Sequence, residues 1–185
     1  MQKIFAMVWA GLACAAVCAG DTQNSDDFYR QAQIGQWTHY KFISTEGEKK
    51  SEATVRTVVT QRNDEQVNLE ITTDEGGRKS SAMLSVNFES QDRIMERLKR
   101  EHETIEEGDE VLKLGNTEYK CHWTKSKLNQ ADGQITGFEK VWKCPSVPLE
   151  SVVKRESELT VTANGKSFKR TETQELLDCS KERTK

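Results

Sequence analysis

The stretch VNLEITTDEGGRKSSAMLSV, residues 67–86, decides the fold because its apolar residues are arranged as in a β-hairpin. In such a hairpin, residues whose numbers add up to a constant sum face each other across the two strands. Around the turn Gly76-Gly77 this rule forms three apolar pairs: Val67–Val86, Leu69–Leu84 and Ile71–Ala82. Most of the residues between them are polar. The stretch therefore predicts two antiparallel strands with one dry and one wet face.

The same rule identifies further hairpins on both sides of this stretch. Around Asn63, Gly115-Asn116 and Asn164-Gly165 it forms the pairs Val59–Val67, Val55–Ile71, Leu112–Tyr119, Val161–Phe168 and Val153–Leu176. One pair of the last hairpin fits poorly, because the apolar Leu159 faces the charged Arg170. Turn residues at this spacing, between runs of alternating polarity, are typical of a meander of antiparallel strands.

A hairpin around Asp132-Gly133 places Cys121 opposite Cys144 and Trp123 opposite Trp142. Facing cysteines on neighbouring antiparallel strands can be bridged when the pair is of the closer, non-hydrogen-bonded kind. We therefore predict a disulfide between Cys121 and Cys144, which would stabilise the fold by about 3 kcal/mol by restricting the unfolded chain. Cys179 is left over. We expect it to be an exposed free thiol in a frayed C-terminus, with a bridge between two molecules as the alternative.

Two helices are predicted between the strands. Ser25 can cap a short one that continues to Ile34, and Ser90 can cap a longer one from Gln91 to Glu107 that ends at Gly108. The longer helix has one narrow apolar stripe, formed by Ile94, Met95, Leu98 and Ile105. The sequence thus predicts an α+β fold. It consists of an antiparallel β-meander sheet, open or half-barrel, with one short N-terminal helix and one longer amphipathic helix packed on the sheet.

Residues 1–20 have the features of a secretory signal peptide. Lys3 supplies a positive charge, residues 4–17 are almost wholly apolar, and small residues follow up to Gly20. This segment is too short to span a bilayer stably. We expect residues 21–185 to form a single β-rich domain that is exported, periplasmic or extracellular, soluble and without a transmembrane segment. Cys14 and Cys18 lack a leucine three residues before them, so we expect cleavage without lipid anchoring.

Composition and motif spacing argue against several classes of function. The chain has 27 Lys and Arg residues against 30 Asp and Glu, a formal net charge of −3, and no basic stripe, which argues against nucleic acid as a partner. Cys121 and His122 are adjacent on a strand and point to opposite faces, so we expect no metal site and no cofactor. No serine lies in a Gly-x-Ser-x-Gly turn, and His102 is interpreted as a packing residue of the longer helix. We therefore expect no catalytic residues and no enzyme activity.

The dry face of the sheet remains as the candidate functional surface. Its predicted members are Val67, Leu69, Ile71, Leu84, Val86, Tyr119, Trp123 and Trp142. Two arrangements are open: the sheet can close around a filled core, or it can leave a concave apolar surface for a ligand.

The segment Gly35-Gln36-Trp37-Thr38-His39-Tyr40 resembles the Gly-x-Trp-x-x-Tyr opening of some uncharacterised secreted bacterial proteins. The order of elements is also similar to that of the periplasmic lipoprotein-carrier and lipoprotein-receptor fold, an open half-barrel of strands covered by helices. With this resemblance, the expected function is that of an exported non-enzymatic protein that binds a lipid or other apolar ligand. The alternative is a structural or protein-interaction module of the cell envelope with a closed core.

Overall fold

The computed structural model describes residues 28–130, 134–163 and 165–180. The predicted signal peptide, the cap Ser25, the turn Asp132-Gly133 and the side-chain stripe from Ile94 to Leu98 lie outside the described part. The described elements are the helices α1 (Phe28–Gln31) and α2 (Phe88–Glu101) and the strands β1 (Trp37–Glu46), β2 (Lys49–Arg62), β3 (Gln66–Glu75), β4 (Arg78–Asn87), β5 (His102–Leu114), β6 (Thr117–Gln130), β7 (Ile135–Lys143), β8 (Val152–Ala163) and β9 (Lys166–Cys179).

The strands form one sheet in the order β4-β3-β2-β1-β9-β8-β7-β6-β5, and every neighbouring pair is antiparallel. Helix α2 connects the two edge strands, β4 and β5. In a flat sheet, eight spacings of about 4.8 Å would separate these edges by about 38 Å, whereas a helix of this length spans about 21 Å. The sheet must therefore curve so that its two edges approach each other.

The predicted α+β class is wrong, because nine strands make up most of the described chain and the helices have only 4 and 14 residues. The longer helix differs from its predicted extent at both ends. Its cap is Asn87, whose Oδ1 accepts a hydrogen bond from the Ser90 N–H at 3.1 Å. It ends at Glu101, and the rest of the predicted helix belongs to β5, which pairs with β6 on both sides of a bulge at Ile105. Ile105 is consequently a strand residue, 43% exposed.

The predicted helix ends at Gly108, but this glycine has a different role in the structure. It lies in β5 directly opposite Trp123. A Cβ atom at this position would come within 3.0 Å of the Trp123 ring. The residue is therefore a glycine because the indole needs the space, and it does not terminate a helix.

Most of the predicted hairpin registers are confirmed. The structure contains the pairs Val67–Val86, Leu69–Leu84, Ile71–Ala82, Leu112–Tyr119, Trp123–Trp142 and Val161–Phe168. The predicted register of β2 with β3 is wrong. A bulge after Val59 shifts the pairing, so that Val59 lies opposite Leu69 and not opposite Val67. The pairing of β8 with β9 begins at Lys154 and Glu175, so the predicted pair Val153–Leu176 lies outside it.

Two clusters of buried side chains form the core. One contains Tyr40, Cys121, Val141, Trp142, Cys144, Val147, Val152, Val153 and Leu176. The other contains Ala32, Val59, Val67, Leu69, Phe88 and Leu149. Tyr40 anchors the first cluster, because its hydroxyl donates a hydrogen bond of 2.8 Å to the Val152 carbonyl oxygen. In the described part of the chain, no helix has the length and apolar character that crossing a membrane requires.

Candidate functional site

The eight residues predicted to share one apolar face lie in two places. Val67, Leu69, Ile71, Leu84 and Val86 belong to the second cluster, and Tyr119, Trp123 and Trp142 belong to the first. The five predicted residues of the second cluster are covered by side chains from outside strands β1–β4, namely Ala32, Phe88 and Leu149. The cavity beside it measures about 30 Å³, the volume of a single water molecule. The described residues therefore leave no room for an acyl chain at this place.

Trp123 and Trp142 form a stack with lysine side chains. Lys140 Nζ lies 3.9 Å from the ring centre of Trp123 and 4.5 Å from that of Trp142, distances at which cation–π attraction operates. The Trp142 Nε1–H donates a hydrogen bond of 2.8 Å to Glu110 Oε2. Trp142 is three residues from Glu139 on the same strand, so the two side chains point to opposite faces. Lys140 and Glu110 thus engage the two tryptophan rings, so both rings already contact the protein's own side chains.

Cys121, Cys144 and Cys179 are free thiols in the structure. His122 and Lys143 form the last pair of the β6–β7 ladder, and Cys121 and Cys144 are the next residues beyond it. Both are buried in the same cluster, where burial and the neighbouring Cys144 raise the pKa of Cys121 to about 11. The disulfide between them stays a prediction. Cys179 ends β9 and packs against the same cluster, so the expected frayed and exposed environment is not found.

A charged pocket lies on the face of the sheet that carries Glu139, Ser157 and Glu172. These three residues form one row, because Ser157 faces Glu139 on one side and Glu172 on the other. Arg155 and Arg170 are two residues away along their strands and thus share this face, which we call the inner face. The pocket has a volume of about 80 Å³, and its lining also includes His102, Leu128, Gln130 and Leu159.

The four charges of the pocket form two ion pairs. Arg155 Nε lies 3.5 Å from Glu139 Oε1, and Arg170 Nε lies 3.0 Å from Glu172 Oε1. Each of these side chains is only 11–18% exposed. Ser157 Oγ donates a hydrogen bond of 3.4 Å to Glu139. Burial raises the pKa of Glu172, and Arg170 opposes this effect. Charged side chains are seldom this buried, and pairing is what makes the burial tolerable.

His102 completes the lining of the pocket. It is the first residue of β5 and is 8% exposed. Gln130 Nε2 lies 2.9 Å from its Nε2. If the amide donates there, the proton of the neutral ring resides on Nδ1. Nδ1 is buried and has no hydrogen-bond partner within the described chain. Burial lowers the pKa of His102, which favours the neutral ring.

The four charged residues of this pocket are not among the predicted site residues. The interpretation of His102 as a residue of the longer helix is wrong, since His102 begins β5. One available observation pointed to the pocket: Leu159 does face Arg170 across β8 and β9. An arginine on a face that should be dry indicates a buried charge that needs a partner. Its partner, Glu172, is two residues further along the same strand.

No family model matches the chain, and no curated protein matches it significantly. One similar solved structure is that of a protein from Bacteroides fragilis described as exported, with a YmcC-like fold. It shares 9% identity, covers 80% of this chain and 97% of its own, and has a TM-score of 0.41. A DUF1329 family protein from Desulfovibrio piger shares 7% identity, with 96% and 94% coverage and a TM-score of 0.28. At such TM-scores neither similarity supports a conclusion about this chain.

Proposed function

We propose that this chain is an exported, non-enzymatic binding protein whose ligand occupies the charged pocket of the inner face. The observation that carries this proposal is the pair of buried ion pairs around a cavity, together with the buried His102 Nδ1 that lacks a partner in the described chain. Buried ion pairs add little net stability compared with apolar residues of the same volume. A second role, such as contact with a ligand, accounts for their presence.

Export is supported by the leader-like sequence of residues 1–20. Binding without catalysis is supported by the contacts of Glu139, the carboxylate beside the Ser157 hydroxyl in the pocket. It is paired with Arg155 and accepts a hydrogen bond from Ser157, so it is already engaged by the protein's own side chains.

The pocket favours a small polar ligand over a lipid. Sites for drug-sized apolar ligands measure about 300–1,000 Å³, and the cavity beside the apolar cluster of β2–β4 is only about 30 Å³. The charged pocket, at about 80 Å³, holds a polar group of a few heavy atoms. An open groove of about 510 Å³ beside Trp123 and Phe138 is large enough for an acyl chain, but most of its lining side chains are charged or polar. Binding of a lipid or acyl chain, as the resemblance to lipoprotein carriers implies, therefore has less support from the geometry.

Native mass spectrometry of the mature protein, purified without denaturation, tests the proposal. We expect a small polar molecule to co-purify with the wild type and to be lost from the Arg170→Leu variant. Arg56→Leu is a matched control, because Arg56 is exposed and lies over Trp37. A lipid adduct that survives in Arg170→Leu, or the absence of any adduct from the wild type, would contradict the proposal.

A second candidate is the protein-interaction module, favoured by the exposed apolar residues of the two edge strands. Met83 of β4 is 65% exposed, and Val111 of β5 is 57% exposed. Unpaired strand edges can accept a strand from another protein. In crosslinking experiments on envelope fractions, a partner that is reproducibly captured by the wild type and lost from Val111→Lys would support this function. Identical capture by both proteins would count against it.

A further inference from the structure

The charges of the pocket limit the kind of ligand that it can accept. Two arginines and two glutamates balance each other when His102 is neutral. A ligand with a single charge would leave one of these buried groups without a counterion, which is costly. A ligand that carries both charges can insert between the partners of an ion pair and leave every charge compensated.

The hydrogen-bonding groups point to where each end of such a ligand lies. With Nδ1 protonated, His102 offers a donor that has no acceptor in the described chain. The guanidinium of Arg170 has five N–H donors, and one of its nitrogens, Nε, contacts Glu172. A ligand carboxylate can accept hydrogen bonds from the remaining guanidinium donors, and guanidinium–carboxylate contacts are among the strongest in proteins. The Glu172 carboxylate then becomes available to an ammonium group.

The size of the pocket and the closeness of its charges restrict the ligand further. Its volume of about 80 Å³ equals that of two to three water molecules. The opposite charges of Arg170 and Glu172 are only 3.0 Å apart. A ligand that pairs with both of them needs its ammonium and carboxylate close together, as when both are attached to the same carbon. The ammonium, α-carbon and carboxylate of an amino acid meet both conditions.

We infer that the charged pocket binds a small α-amino-acid zwitterion, with its carboxylate at Arg170 and its ammonium at Glu172. This inference rests on the proposed function, because it names the chemical class of the ligand for the same pocket. A long side chain would have to project from the open side of the pocket, so the smallest amino acids fit best.

Isothermal titration calorimetry on the mature protein with four probes tests the inference. Glycine and L-alanine carry both charges, glycolate carries only the carboxylate, and ethanolamine carries only the ammonium. We expect both amino acids to bind and the two single-charge probes to bind at least about tenfold more weakly. Glycolate or ethanolamine binding as tightly as glycine would overturn the inference and leave the proposed pocket intact. If no probe binds and native mass spectrometry finds no adduct, the proposed function fails as well.

Substitutions distinguish this pocket from other places where glycine could bind. Glu172→Gln removes the charge that holds the ammonium, and we expect glycine affinity to fall about tenfold or more. Glu156→Gln is the matched control: Glu156 pairs with Lys154 at 2.7 Å and lies next to Ser157 on the strand, so it points to the opposite face. Arg170→Lys, which removes the planar guanidinium that holds the carboxylate, provides a second variant should Glu172→Gln fail to fold. Unchanged glycine affinity in the folded variants would overturn the inference.

Discussion

At the scale of single residues, the notable feature is that two arginines are held on a buried face by one glutamate each. Arg155 and Glu139 are 11% and 12% exposed, whereas the pair of Lys125 with Glu106 on β6 and β5 is 38% and 57% exposed. The surrounding water screens the exposed pair of Lys125 with Glu106 much more than the buried pair of Arg155 with Glu139. Removal of one partner therefore has very different consequences at the two places.

We predict that Glu139→Ala lowers the free energy of unfolding by about 3–5 kcal/mol, because it removes the carboxylate paired with the buried Arg155 charge. Glu106→Ala, which removes one partner of an exposed pair, should cost less than about 1 kcal/mol. Urea denaturation of both variants measures the difference. Equal losses would show that the Arg155–Glu139 pair is as solvated as the surface pair.

The predicted disulfide is tested by counting thiols in the mature protein. Denatured without reductant, the protein should show one reactive thiol, Cys179, and after reduction it should show three. In an oxidising compartment such a bridge persists, and replacing both Cys121 and Cys144 by serine should then cost about 3 kcal/mol. Three reactive thiols before reduction would refute the bridge.

At the scale of elements, the hairpin β3–β4 could be predicted from sequence because its signals are local. Apolar residues alternate symmetrically around Gly76-Gly77, and the structure has the same register. The extent of α2 could not be predicted in this way. Its apolar stripe continues to Ile105, yet the chain from His102 onward pairs with β6, a partner that local periodicity does not reveal.

Leu69 should contribute strongly to the stability of the hairpin β3–β4. It is 1% exposed and faces Leu84 and Val59 across its two neighbouring strands. We predict that Leu69→Ala lowers the free energy of unfolding by about 2–5 kcal/mol. Met83→Ala in β4, at a residue that is 65% exposed, should change it by no more than about 0.5 kcal/mol. Guanidinium denaturation compares them, and a similar loss for both would mean that this hairpin does not bury its predicted face.

The segment between β7 and β8 is tied to α1 through a buried carboxyl group. The Tyr29 hydroxyl donates a hydrogen bond of 3.0 Å to Glu150 Oε1, and burial raises the pKa of Glu150. The unfolded chain therefore releases this proton at a lower pH than the folded chain does. Between the pKa of Glu150 in the unfolded chain and its higher pKa in the folded chain, the contribution of Glu150 to the free energy of unfolding falls as the pH rises.

Glu150→Gln removes this titration and keeps the oxygen that accepts the hydrogen bond. We predict that the variant gains stability relative to the wild type as the pH rises above the ordinary glutamate pKa of 4.5, because only the wild type must ionise this carboxyl group in the folded state. Chemical denaturation at a series of pH values above 4.5 gives the comparison. A stability difference that is independent of pH, or one that shrinks as the pH rises, would argue against a buried carboxyl at this position.

At the scale of the whole molecule, the charged pocket is the feature that sequence periodicity was least able to reveal. His102, Glu139, Arg155 and Arg170 come from four different strands and are brought together only by the order β9-β8-β7-β6-β5. Three of the four hairpins in this series have a turn that can be recognised locally, but the longer connection from β7 to β8, the curvature of the sheet and the contact of β1 with β9 cannot be. The partners of a buried charge are consequently invisible to a pattern that extends over one hairpin.

The most direct test of the account is to observe the pocket arginines by NMR while glycine is added to the mature protein. The side-chain Nε–H resonances of Arg155 and Arg170 can be assigned with Arg→Lys variants. We predict that the Arg170 resonance shifts and saturates as glycine is added, because glycine replaces part of its pairing with Glu172, and that any shift of the neighbouring Arg155 saturates at the same glycine concentration. The resonance of the exposed Arg56 should stay in place. Shifts at Arg56 without any at Arg155 and Arg170, or no shift at all, would contradict binding of the zwitterion in this pocket.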